Sequence, residues 1–339
     1  MSNNQTLKDR DSSLDMAKGI LIAMLIFHHI VDVGIRLNNI NNNVLSIMEM
    51  IQSPLIVCYF MPSFFIITGM CSTFKKQFIP FFIRQIKTLL LPAIVFVFLF
   101  HLYQGDSLKT LLGDVKRLFW LGSDYWFITA LFEAKIFYYF LRKYLTSNKV
   151  LFLILLCLSS FGALLNDLFN VKCPNDFFMI RHTLDLMVFI GVGNLFKDYF
   201  NNRNVIIVTT SLFVLLVSLY IITGEHLPYV TYTFATSLIS WPIHIVLSIS
   251  GTVAIITVCR YISNNHLIEY IGKNSLSIYL MQWYTLIMFI DAFENILSEN
   301  DIVISIACIS SIFISTISIG LFVAYITNNT KLRILMGKF

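Results

Sequence analysis

Beyond residue 13 the chain alternates between long apolar runs and short polar clusters, and within each run apolar residues follow one another instead of alternating with polar ones. Ten runs are drawn, at residues 14–33, 54–71, 85–103, 125–141, 150–168, 183–196, 205–223, 241–261, 275–291 and 302–327. A helix rises about 1.5 Å per residue, so about 20 residues cross a hydrocarbon core of about 30 Å, and most of the runs approach that length. Lipid cannot satisfy exposed peptide groups, so a spanning segment is either a helix or a strand of a closed barrel. Barrel strands alternate apolar and polar faces, which these runs do not. The pattern predicts an all-α, polytopic integral membrane protein of about ten transmembrane helices. The run at 183–196 is short, and residues 227–240 read as a re-entrant or interfacial piece. The first run holds two histidines and lacks a small-residue cleavage pattern, so it reads as a retained span. With no Gly/Ser-rich linker, low-complexity tract or internal repeat, residues 14–327 form one membrane domain between polar tails at 1–13 and 328–339.

Composition agrees: 57% of the 339 residues are hydrophobic and 13% are charged, against about 45–50% and about 25% in soluble domains. The net charge of +5 is not gathered in a tract, which argues against a nucleic-acid partner. Its distribution is informative instead. With the N-terminus inside, 16 of the 24 Lys and Arg residues fall in inner loops and tails and 6 in outer loops, with Lys18 and Lys135 inside spans. That bias places both termini in the cytoplasm. Asp291, Glu294, Glu299 and Asp301 gather in the last outer loop. The six cysteines include no C-x-x-C pair, and no His, Cys or carboxylate keeps metal-binding spacing with His101 or His244. Neither a disulfide framework nor a metal site is expected.

Candidate chemistry concentrates in the first run, because ionisable groups inside spans cost about 2.5–3.5 kcal/mol each on insertion scales. Lys18 and His29 are eleven residues apart. On a helix that is three turns plus about 20°, with about 16 Å of rise, so the two share a face while His28 points about 100° away. A cation near the inner end and an imidazole deeper in suit a long ligand with an anionic head and a reactive tip, the shape of an acyl-coenzyme A. Imidazole, with an ordinary pKa of about 6.5, can take a proton from a hydroxyl near neutral pH. The plainer alternative is that Lys18 snorkels to the interface and pairs with Asp15, three residues before it.

The opening Asp15, Lys18 and His29 resemble the signature of the acyltransferase-3 family: an Asp shortly before Arg or Lys, then ten residues, then His. Further stretches resemble that family in order along the chain: Met61-Pro62-Ser63-Phe64-Phe65-Ile66-Ile67-Thr68-Gly69-Met70, Arg84-Gln85-Ile86-Lys87 leading to Leu91-Pro92, Trp126-Phe127-Ile128-Thr129-Ala130-Leu131, and Gly272-Lys273-Asn274-Ser275-Leu276-Ser277-Ile278-Tyr279-Leu280. The family consists of polytopic enzymes that O-acylate cell-surface glycans and other acceptors. The resemblance implies that His29 is the catalytic histidine and that Lys18, with Asp15 beside it, helps hold the donor or its site. This chain departs from the family at Met281-Gln282-Trp283, where His is common. Gln282 can hydrogen-bond but cannot act as a general base.

The expected activity is thus transfer of an acetyl or other acyl group from acyl-CoA to a hydroxyl of a surface polysaccharide or glycolipid sugar, at the cell membrane. Arg84 and Lys87, one turn apart at the mouth of a span, suit the phosphates of coenzyme A; Lys75 and Lys76 read as topology and anionic-lipid contacts. Ser275, Tyr279 and Gln282 share a helical face and suit a polar wall of the site. Trp126 and Glu133, seven apart, suit an aromatic and polar platform for a sugar, and Arg181 and Asp185 read as an i, i+4 pair. His29 serves either as general base or as acyl-carrying nucleophile. The competing class is a transporter or flippase for a polysaccharide precursor, in which His29, Lys18, Glu133 and Asp185 relay protons or bind cargo.

Overall fold

The computed structural model describes residues 11–52, 56–74, 77–104, 125–168, 177–223, 240–262 and 265–336, with residues 110, 112, 113, 116 and 238 between them. The end segments 1–10 and 337–339, Lys75, Lys76, Cys173 and nearly all of 227–240 lie outside that set. The described residues form thirteen α-helices and no strand. These are α1 (Ser12–Val31), α2 (Asn43–Gln52), α3 (Phe60–Cys71), α4 (Phe78–Gln85), α5 (Leu91–Gln104), α6 (Trp126–Tyr144), α7 (Asn148–Leu168), α8 (Ile180–Leu195), α9 (Arg203–Thr223), α10 (Trp241–Ile262), α11 (His266–Lys273), α12 (Ser275–Ser298) and α13 (Ile302–Asn329). Each predicted run is mostly helical where it is described, with a turn at Cys58 and Tyr59 inside the second. Among the described residues, six stretches, against the ten expected, suffice by length and hydropathy to cross a membrane: Ser12–Ile35, Phe78–Leu102, Asn148–Leu168, Trp241–Ile262, Ser275–Ser298 and Ile302–Asn329.

The helix ends follow from local chemistry. Asp11 caps α1 by accepting from the Ser13 N–H at 3.1 Å, and Asp301 caps α13 by accepting from the Ile304 N–H at 2.9 Å. Between α12 and α13, Asn300 takes a left-handed φ of 62°, which stops α12 and lets the chain reverse. Buried Asn42 ties that hairpin to α2, donating to Leu297 O and Ser305 Oγ at 2.7 Å each. The stretch from α4 to α5 is one continuous helix with a π turn at Ile86–Leu90, where the Leu91 N–H reaches five residues back to Ile86 O. Pro92 cannot donate to a carbonyl four residues back, and the wider turn just before it accommodates that loss.

Packing puts α1 and α3 at the centre, with Leu21, Ile22, Leu25, Phe60 and Phe65 fully buried. Two glycine contacts fix neighbours at backbone distance, as is common between membrane helices. A Cβ at Gly272 of α11 would run into the backbone of Asp15 in α1, and one at Gly193 of α8 into Ile66 O of α3. The outer surfaces remain apolar, with Val303 and Ile314 on α13 and Leu153 on α7 more than half exposed, which suits lipid as the solvent and no soluble environment. The protein is a multi-pass, all-helical membrane protein.

Candidate active site

The close approach of α1 to α11 sets the first half of the site, because it brings Lys18 beside the start of α12. Lys18 Nζ lies 3.0 Å from Asp15 Oδ1; the Asp15 side chain is buried, whereas that of Lys18 keeps 23% of its surface. So the expected i, i+3 pair forms. It does not turn Lys18 away, since the same side chain also lines a cavity of about 210 Å³. That cavity is bounded by Lys18, Ile22 and Leu25 of α1, Met61, Phe64 and Thr68 of α3, Leu89 of the π turn, Phe127, Ile128 and Leu131 of α6, and Ser275, Leu276 and Tyr279 of α12.

Lys18, Ile22, Leu25 and His29 follow one another at intervals of four, three and four residues, the spacing of one helical face. On α12, Tyr279 and Trp283 are likewise one turn apart. The cavity walls therefore continue upward to a pair of rings, His29 and Trp283, whose centroids stand 4.6 Å apart. His29 is half-buried, and its Nδ1 is buried without a hydrogen-bond partner. His28 turns to α2, where its Nδ1 lies 3.1 Å from Gln52 Oε1. The two histidines are thus divided as helical geometry requires: one faces the column above the cavity, the other a neighbouring helix. Tyr125 secures the opposite wall by donating to Leu280 O at 2.9 Å, which holds the start of α6 against α12.

Among the other sequence candidates, Tyr279 lines the cavity and Gln282 does not. Gln282 is fully buried, and neither atom of its amide head has a partner. Arg84 and Lys87 are exposed on the stretch whose next turn supplies Leu89 to the cavity. Trp126 and Glu133 stand elsewhere. The Trp126 ring lies 5.5 Å from His182 of α8, and Glu133 Oε2 accepts from Thr183 Oγ1 at 3.0 Å. Phe127, Ile128 and Leu131 are what α6 turns toward Lys18, so the aromatic and carboxylate pair borders α8 and not the cavity beneath His29. Asp185, read as an ion-pair partner of Arg181, accepts from Ser159 Oγ at 3.1 Å. Among the described residues no three His, Cys, Asp or Glu side chains gather closely enough to hold a metal ion.

Trp283 is the residue sequence reasoning passed over. The one available signal was its position a turn beyond Tyr279, but nothing in the sequence says that this face of α12 meets His29. Chemically, the arrangement offers a mostly apolar cavity with a cation in its wall and, one turn further along the same face of α1, an imidazole backed by an indole. Such a cavity can hold an extended chain and present its end to a proton acceptor.

Comparison with known proteins gives a matching result. An acyltransferase domain, the third acyltransferase family model, matches residues 11–325, nearly the whole described chain. No curated protein and no solved structure matches significantly. A match of that extent places the chain in the acyltransferase-3 family of membrane acyltransferases.

Proposed function

We propose that the protein transfers an acyl group, acetyl in the simplest case, from an acyl-CoA donor to a hydroxyl of a cell-surface polysaccharide or glycolipid sugar, with His29 as general base. The observation that carries this reading is the helical face of α1 on which Lys18, Ile22 and Leu25 line the cavity and His29 follows one turn beyond them, against Trp283. In this reading the donor enters from the cytoplasm, with its phosphates toward Arg84 and Lys87 and its flexible arm in the cavity past Lys18. The thioester then lies near His29 and Trp283, and the acceptor comes from the opposite side of the membrane. Neutral imidazole takes the proton of the acceptor hydroxyl as the oxygen attacks the thioester carbonyl. The new C–O bond forms, the C–S bond breaks, and the departing thiolate recovers the proton from the imidazolium. Trp283 restricts the ring and keeps water from competing as acceptor. Asp15 keeps Lys18 charged and oriented along the wall. The protein would reside in the plasma membrane with both termini inside, as the distribution of Lys and Arg suggests.

The test compares cells producing the wild-type protein or His29→Ala at equal membrane levels. Proton NMR of the purified surface polysaccharide reads acetyl ester, and isolated membranes are assayed for release of coenzyme A from acetyl-CoA. Ester and coenzyme A release in the wild type alone is the expected result. Ester that persists in the variant removes His29 from the chemistry. Membranes inert toward acetyl-CoA in both cases remove the donor.

A further inference from the structure

A second concavity, about 650 Å³, opens at the end of α6 beyond Tyr139. Its aromatic walls are Phe78 and Tyr139, whose rings are 5.5 Å apart, and its polar groups are Gln77, Arg142, Lys143 and Thr146. By the distribution of charge along the chain, this end of α6 is cytoplasmic. The same three segments that line the Lys18 cavity also line this groove: α3 and its C-terminal extension, the α4 stretch, and α6. On α6 the relation is one of register. Ile128 and Leu131 face the cavity, Tyr139 and Arg142 face the groove, and each pair is eleven residues apart, the spacing that returns to the same helical face after about 16 Å.

Two polar side chains occupy the layer between. Gln85, on α4 between groove-lining Phe78 and cavity-lining Leu89, is buried, and its Oε1 accepts no hydrogen bond. Lys135 sits on α6 between Leu131 and Tyr139. It is half-buried at intervals of four from both, on the face of α6 that joins the cavity to the groove, and the exposed Arg84 stands one residue before Gln85 on the α4 stretch. A half-buried lysine in a span is costly unless an anion joins it. The features therefore call for a ligand with several negative charges in the layer and a flat ring system in the groove. Aromatic walls suit a purine, Gln77 and Thr146 suit its polar edge, and Arg142 and Lys143 suit phosphate.

We infer that the groove of Arg142, Lys143, Phe78 and Tyr139 binds the nucleotide end of the acyl donor, and that Lys135 with Arg84 holds its diphosphate at the entrance to the Lys18 cavity. The inference rests on the reading that the donor is a coenzyme A thioester. It differs in routing the donor through the seam between α3, α4 and α6, with Lys87 left on the outer ridge.

The full-length protein in phosphatidylcholine nanodiscs, titrated calorimetrically with coenzyme A and with adenosine 3′,5′-bisphosphate, provides the test. The variants are Lys135→Met and the double substitution Arg142→Gln with Lys143→Gln, each checked by thermal melting. The double variant changes only exposed or half-buried groups and guards against a folding failure at Lys135. Coenzyme A affinity is expected to fall about tenfold or more in both, and that of the bisphosphate most in the double variant. Wild-type binding of coenzyme A with unchanged affinity in both variants overturns the groove and leaves the donor reading intact. No binding of coenzyme A to the wild type overturns both. If the variants bind coenzyme A normally but lose co-purifying phosphatidylglycerol, the groove is a lipid-headgroup site and the inference fails.

Discussion

Where α6, α7, α8 and α10 meet, buried polar side chains satisfy one another. Thr183 donates to Glu133, Ser159 to Asp185, and Trp241 Nε1 to Ser159 Oγ at 2.8 Å. Between α3 and α10, Ser63 and Thr252 share a hydrogen bond of 2.7 Å. On the other side of the bundle, polar groups near the α1–α12 column keep unused capacity. His29 Nδ1 and both ends of the Gln282 amide lack partners, and Lys18 presents its ammonium to a cavity. The first region spends its polar groups on holding helices together, for which hydrogen bonds between helices in lipid yield about 0.6 kcal/mol on average. The second leaves donors and acceptors available to something that arrives later. Burial of an ionisable group in a span is therefore a weak guide to chemistry by itself; a polar atom left open beside a cavity is a stronger one. The contrast has several exceptions, of which His244 is one. Both its ring nitrogens are buried without partners, yet its ring packs edge-on against Phe189 at 5.7 Å, and it lines neither the cavity nor the groove.

Substitutions can break this contrast. The largest effect is expected for His29→Gln, which keeps a polar side chain but no base: acyl transfer falls by about 10² to 10⁴, while the melting temperature of the purified protein stays near that of the wild type. A comparable loss of folding would move His29 into the structural group. Lys18→Met comes next. It keeps the apolar stem and removes the charge, and about a tenfold loss in kcat/KM, carried mainly by KM for the donor, is expected from one lost charged contact. A loss confined to kcat would instead place Lys18 at the reacting atoms. Thr183→Val tests the other region. Unfolding in detergent should show a loss of about 0.6 to 1.7 kcal/mol with kcat unchanged, and a fall in kcat would mean that Glu133 belongs to the reaction after all. The smallest effect is expected for His244→Phe, which removes two unsatisfied buried nitrogens: stability stays within about 0.5 kcal/mol or rises, and activity is retained. Inactivation without unfolding would show that an open polar atom matters even without a cavity beside it.

Much of this was legible in the chain. Continuous apolar runs identify helices because lipid forces each segment to satisfy its own peptide groups, and each predicted run is mostly helical where described. The register of Lys18 and His29 was equally readable, since an interval of eleven returns to one face whatever surrounds the helix. Trp126 and Glu133 show where such reasoning stops. Their spacing of seven correctly puts them on one face of α6, but periodicity cannot say which neighbour that face meets. The structure turns it toward α8, where Thr183 and His182 receive it.

The sequence by itself determined the apolar helices and which residues share a side of each; it did not pick out the short helices α2 and α11. Only the tertiary structure decided what each side faces: that His29 meets Trp283, and that Tyr279 and not Gln282 reaches the cavity. The reason is physical. Local periodicity follows from backbone geometry and the polarity of the solvent, both of which act residue by residue. The pairing of faces depends on close contacts such as Gly272 against Asp15 and Gly193 against Ile66, made between segments far apart in the chain.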